Sequence, residues 1–199
     1  MNILVVGGGG REHAIITALS KSPKVEKIWA APGNGGISAL AECFPVKATD
    51  LDGILGLAKK LNPDFVFVAP DDPLVMGMVD RLNEAGFRTF GPRANAAILE
   101  GSKVFSKALM KKYGIPYETF TDADKAIEYI KAQNSYPAVI KCDGLALGKG
   151  VIIAKDFEEA EAAVKSMLLD GKFGKSGSEI VVEEFMTGPE VTVLAFTYG

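Results

Sequence analysis

The stretch Ala138-Val139-Ile140-Lys141-Cys142-Asp143-Gly144-Leu145-Ala146-Leu147-Gly148-Lys149-Gly150-Val151-Ile152-Ile153-Ala154 decides how the chain is read. Two runs rich in β-branched residues, 138–140 and 151–154, flank a loop that holds Gly144, Gly148 and Gly150, with Lys141 and Lys149 beside them. The pattern predicts strand, glycine-rich loop, strand. Glycines let backbone N–H groups converge on one point, and converging N–H groups next to an ammonium make an anion site. Lys141 interrupts an otherwise apolar strand, and the loop is long for a plain hairpin. Both features favour phosphate binding over a pair of solvated lysines. No Gly-Lys-Ser/Thr sequence opens a helix here, so the stretch is not a Walker A loop.

The bulk numbers bound the answer. With 199 residues, 48% of them hydrophobic and 24% charged, the chain has the composition of a globular protein with one large domain or two small ones. No apolar run approaches the roughly 20 residues of a spanning helix, and the N-terminus enters a strand at once. Cys43 and Cys142 stand far apart in unrelated contexts and suggest neither a disulfide framework nor a zinc site, so a reduced cytoplasm is the expected compartment. A net charge of -3 gives no electrostatic support to nucleic-acid binding. Small molecules are the expected partners, with no nucleic acid and no membrane; the oligomeric state is left open.

Upstream of the opening stretch, residues 2–6 read as a buried strand that runs into Gly7-Gly8-Gly9-Gly10-Arg11-Glu12-His13 and then a helix stopped near Ser22-Pro23. Position 12 is Glu, so the Gly-x-Gly-x-x-Gly dinucleotide fingerprint fails and a nicotinamide cofactor is not expected. The helix N-terminus still offers an anion site that Arg11 could reach, while His13 is expected to pack or cap. Further strands are expected at 25–31, 43–46, 65–69 and 87–90, with helices at 50–60 and 74–85. Asp72-Pro73 reads as a helix cap pair; Asp71, at a strand's carboxyl end, suits a sugar hydroxyl or an amine as well as a cap. Alternating strands and helices to about residue 95 predict an α/β fold with a parallel sheet covered on both faces.

Helices follow at 94–99 and 102–113. Lys103 and Lys107 share a face of the second at i, i+4 spacing, and Lys107 is expected to be solvated. Beyond Pro116 an extended segment at 117–120, helices at 122–133 and 156–169, the central hairpin and a strand at 180–185 predict a small antiparallel α+β unit, shaped like a lid. The expected division is residues 1–117, 118–188, and the start of a further core at 189–199. In Val181-Val182-Glu183-Glu184-Phe185-Met186-Thr187-Gly188-Pro189-Glu190 a strand ends in two carboxylates, a turn reverses the chain, and a third carboxylate follows. Backbone groups at such a strand end can read an adenine edge, and a carboxylate can accept two ribose hydroxyls.

Lys103, Lys141, the glycine loop, Glu183 and Glu190 together resemble the nucleotide half of the ATP-grasp superfamily. More specifically, six separated blocks resemble the glycinamide ribonucleotide synthetases: Gly9-Gly10-Arg11-Glu12-His13, Ala31-Pro32-Gly33-Asn34, Phe90-Gly91-Pro92, Leu99-Glu100-Gly101-Ser102-Lys103, Ile140 to Val151, and Glu183-Glu184-Phe185. The resemblance implies a doubly wound, Rossmann-like pre-ATP-grasp sheet followed by an ATP-grasp lid. It implies ligation of glycine to 5-phosphoribosylamine through a glycyl phosphate, an early step of purine synthesis. Lys103 and Lys141 would act on the ATP phosphates. Asp143, Gly144, Leu145, Gly148, Lys149 and Gly150 would form the cover over them, Glu183, Glu184 and Phe185 would line the adenine, and Glu190 would hold the ribose.

Gly9, Gly10, Arg11 and Asp71 are the candidates for the phosphoribosylamine. Two departures from the family pattern, Gly8 in the first turn and Pro70-Asp71-Asp72-Pro73-Leu74, both touch that side. The resemblance also implies magnesium, with ligands in a region that family members carry beyond position 199. No metal ligand is assigned in this chain, which is expected to be a fragment without unaided ligase turnover. The alternatives are a non-catalytic nucleotide-binding module and another carboxylate–amine ligase of the superfamily. Biotin-dependent carboxylation is disfavoured by the Gly-Gly-Arg-Glu-His turn and the lack of a Met-Lys-Met segment.

Overall fold

A computed structural model of the chain describes residues 1–112, 117–143, 150–170, 177–189 and 191. The chain divides into two compact units, Met1–Ser106 and Lys107–Gly199.

The first unit is built on a parallel five-stranded sheet of β1 (Asn2–Gly7), β2 (Lys27–Pro32), β3 (Glu42–Cys43), β4 (Phe65–Val68) and β5 (Thr89–Phe90), in the order β3-β2-β1-β4-β5. Central β1 follows from its continuous apolar run: Leu4, Val5 and Val6 are fully buried, as a parallel strand covered on both faces requires. Leu4 and Val6 enter a core with α2 (Leu51–Leu61) and α4 (Met78–Glu84), while Ile3 and Val5 meet Ile16 of α1 (Gly10–Leu19) on the other face. The chain goes from β1 outward through β2 and β3, then returns to β4 on β1's other side. This is the topological switch beyond which open α/β sheets bind ligands.

Several local expectations shift. The strand expected at 43–46 is only Glu42–Cys43: Phe44 still donates to the Ala30 carbonyl, but Pro45 has no N–H to extend the ladder. The strand expected at 87–90 shortens to Thr89–Phe90 because the Phe87 N–H turns back to the Leu82 carbonyl. The single helix expected at 74–85 is two, α3 (Asp71–Val75) and α4, separated by Gly77 at φ +86. That left-handed residue ends one helix and starts the next. Asp72 is not a cap either: Pro70 occupies that position, and both Asp71 and Asp72 lie in the first turn. Asp50 does cap α2, accepting the Gly53 N–H.

After α5 (Ala94–Gly101) and α6 (Lys103–Lys111), the second unit is an antiparallel sheet of β6 (Tyr117–Phe120), β7 (Ala138–Cys142), β8 (Val151–Ala154) and β9 (Ile180–Glu184), in the order β6-β9-β7-β8. Helices α7 (Ala123–Gln133) and α8 (Phe157–Leu168), capped by Asp122 and Asp156, cover one face. Ile140, Cys142, Ala154, Ile180 and Val182 point into that core. On α8 the fully packed stripe is Ala160, Ala163, Val164 and Met167, with the expected Phe157 and Leu168 at its margin. No helix among the described residues is long and apolar enough to cross a membrane.

Candidate functional site

Alternation along a strand sends neighbouring side chains to opposite faces, so β7 and β9 each present two faces. With Ile140 and Val182 turned to the helices, Val139, Lys141, Val181 and Glu183 occupy the opposite face. The register pairs Lys141 with Val181 and Val139 with Glu183, which makes Lys141 and Glu183 diagonal neighbours on the two inner strands. Lys141 Nζ donates to Glu183 Oε2 at 2.7 Å. The other carboxylate oxygen, Oε1, lies 3.1 Å from Lys107 Nζ, paired by charge without hydrogen-bond alignment. Glu183 is 10% exposed, Lys107 14% and Lys141 26%. Two ammonium groups therefore share one carboxylate.

Lys107 is thus not solvated, contrary to its sequence reading. An i, i+4 lysine pair on a helix with no fully buried residue looks like a water-facing stripe. The partner that changes its environment lies on a distant strand and leaves no local signature.

One backbone bond closes the hairpin neck, and a second ties it to the residue before β9. Cys142 donates to the Gly150 carbonyl at 2.8 Å, and Asp143 donates to Glu179 at 2.9 Å. Of the remaining nucleotide candidates, Glu184 ends β9 and Phe185 follows it, 37% exposed. Gly144, Leu145, Gly148, Lys149 and Glu190 lie outside the described residues. Lys103, the first residue of α6, belongs to the other unit. A cleft of about 180 Å³ opens at the β9 end on the α7 side, lined by Tyr117, Tyr129, Gln133, Val182, Glu183 and Glu184. Burial, with the charge of Glu118 adding to it, pushes the Tyr129 phenol above its usual range, so it remains a protonated donor. Among the described residues no three His, Cys, Asp or Glu side chains gather as a metal site.

In the first unit the carboxyl ends of β1 and β2 are tied by backbone and one side chain. Gly33 donates to the Gly7 carbonyl at 3.1 Å. Asn34 donates to the Gly8 carbonyl at 2.9 Å and accepts from the Gly36 and Ile37 amides. Glu12, 4% exposed, folds back to accept the Gly9 N–H at 2.5 Å. Gly7, at φ +130, admits this: a Cβ there would lie 2.5 Å from Glu12 Cγ. Gly9 and Gly10 open α1, and Arg11 approaches Asp71 at 3.5 Å, which brings all four sugar-side candidates to one sheet end. His13 packs over Gly36, as expected. Asn34 was legible only as part of a family block; its three bonds depend on loops whose approach no local pattern states.

A parallel α/β sheet followed by a four-stranded antiparallel layer with two helices is an arrangement shared with ATP-grasp enzymes. N5-carboxyaminoimidazole ribonucleotide synthetase of Thermotoga maritima has the same fold over 92% of this chain and 46% of that chain, with a TM-score of 0.64 at 21% identity. The narrower assignment comes from sequence. The family described as phosphoribosylglycinamide synthetase, N domain, matches residues 1–100, and its ATP-grasp (A) domain matches residues 101–199. The chain belongs to the phosphoribosylglycinamide synthetase family.

The phosphoribosylamine–glycine ligase of Halalkalibacterium halodurans is 46% identical over 202 residues, which take in 100% of this chain and 47% of that protein. Its counterpart in Listeria monocytogenes serovar 1/2a is 48% identical over 203 residues, again 100% of this chain and 48% of that protein. The crystal structure of phosphoribosylamine–glycine ligase from Thermotoga maritima, 32% identical, matches 95% of this chain and 45% of that chain with a TM-score of 0.77. The chain spans about half the length of the curated relatives it matches.

Proposed function

We propose that this chain carries the ATP-binding hairpin and the amine-substrate side of a ligase that joins glycine to 5-phosphoribosylamine. The observation that carries the reading is the Lys141–Glu183 pair on adjacent inner strands, at the neck of the glycine-rich hairpin. In the reaction a glycine carboxylate oxygen bonds to the γ-phosphorus of ATP as the bond to the β-phosphate oxygen breaks, releasing ADP. The amine nitrogen of phosphoribosylamine then attacks the acyl carbon, loses a proton, and expels phosphate. The product is glycinamide ribonucleotide, and the setting is cytoplasmic purine synthesis.

Lys141 and Lys103 contact the phosphates in this reading, and the amides of 144–150 cover them. Fixed positive charge at that point offsets the charge that shifts during phosphoryl transfer. Glu183, Glu184 and Phe185 line the adenine and Glu190 the ribose; Gly9, Gly10, Arg11 and Asp71 receive the phosphoribosylamine. Magnesium, which would neutralise phosphate charge, has no candidate ligand set among the described residues, and no step here depends on one of them holding it.

Calorimetric titration of the chain with ATP and magnesium tests the reading. Lys141→Ala is expected to weaken binding by about ten- to a hundredfold, the worth of one charge-assisted hydrogen bond to phosphate. Unchanged affinity in the folded variant would remove Lys141 from the site.

A further inference from the structure

Lys107 has no part in the site assigned above, yet it is more buried than Lys141 and is charge-paired with Glu183. We propose that Lys107 is a positioning residue for the nucleotide site: it retains the Glu183 carboxylate when Lys141 turns from that carboxylate to a nucleotide phosphate. The inference rests on the nucleotide reading of Lys141.

Three observations support the exchange. First, the carboxylate is divided, Oε2 to Lys141 and Oε1 to Lys107, so the loss of one ammonium leaves the other in place. Second, exposure rises from Glu183 to Lys107 to Lys141, at 10%, 14% and 26%, so the lysine most open to solvent and ligand is the strand-borne one. Third, the carboxylate has two ammonium partners. Without Lys107, moving Lys141 onto a phosphate would take from a nearly buried carboxylate both ammonium groups that pair with it among the described residues, and an uncompensated buried charge is strongly unfavourable. With Lys107 present the carboxylate stays neutralised and the Lys141 charge is available. Lys107 thus acts on the nucleotide through Glu183 and Lys141, not by touching it.

The test is titration of the chain with ADP, comparing Lys107→Met, Lys107→Gln, Lys107→Arg, Glu183→Gln and the double variant Lys107→Met/Glu183→Gln. A thermal melt of each identifies variants that fold. Lys107→Met is expected to weaken ADP binding by about tenfold, with Lys107→Arg restored to within about threefold of the parent. The loss on removing Lys107 should shrink in the Glu183→Gln background, because a neutral amide needs no compensating cation. If Lys107→Met does not fold, Lys107→Gln takes its place in every comparison.

Unchanged affinity in the Lys107 variants would overturn the inference and leave the nucleotide reading intact. An equal loss in both Glu183 backgrounds would also overturn it, since the lysine would then act independently of the carboxylate. Absence of ADP binding by the folded parent chain would overturn both.

Discussion

The first unit builds the carboxyl end of its sheet largely from backbone: four consecutive glycines, the Gly33–Gly7 bond, and an asparagine that ties two loops together, with the exposed Arg11–Asp71 pair beside them. Its buried carboxylate, Glu12, is turned inward onto a main-chain N–H. The second unit puts charged side chains on the strands themselves, with Lys141 and Glu183 anchored by the inner pair of a four-stranded sheet. Loops held by backbone bonds fix a shape, whereas ammonium groups beside one carboxylate fix a charge that can be redistributed. The two units thus differ in what fixes their candidate residues, and each can be perturbed separately.

The largest perturbation is to the cores. Leu4→Ala and Ile140→Ala each empty a fully buried site and are expected to lower stability by about 2–5 kcal/mol. Trp29, the chain's one tryptophan, lies in the first unit's core, so urea unfolding read by its fluorescence should move for Leu4→Ala and stay for Ile140→Ala. A transition that moves equally for both would show that the units unfold as one.

Gly7→Ala sharpens the comparison at the shape-based end. The new methyl meets Glu12 at a φ that L-residues rarely adopt, and a loss of about 1–3 kcal/mol is expected in the same assay. Wild-type stability in that variant would mean that Glu12 can vacate the turn without cost. Smaller still is Asn34→Ala, which removes three hydrogen bonds on an exposed loop and should cost about 1 kcal/mol. Faster amide exchange at Gly36 and Ile37, with the β1 amides unchanged, is the expected pattern.

Much of this was legible in the sequence, for physical reasons that differ by element. β1 is a continuous apolar run and β7 an apolar run broken by Lys141, and each leads into a glycine-rich segment. The α/β sheet followed by an antiparallel lid-like layer was therefore readable from periodicity. The breaks were also written locally but were overridden by longer patterns: Pro45 inside an expected strand, Gly77 inside an expected helix. The Lys141 and Glu183 positions were readable, whereas their contact depends on strand register. Lys107 was misread because its partner is set by tertiary packing, which helix spacing does not encode.

The inward turn of Glu12 has a consequence for solutes that reach the first glycine loop. A helix N-terminus ordinarily attracts free anions, but here a tethered carboxylate already takes the Gly9 N–H. Tethering gives that carboxylate an effective concentration far above any dissolved inorganic phosphate. That one N–H is therefore closed to small oxyanions, and an anion at this helix end is left the N–H groups of the first turn, which no side chain caps.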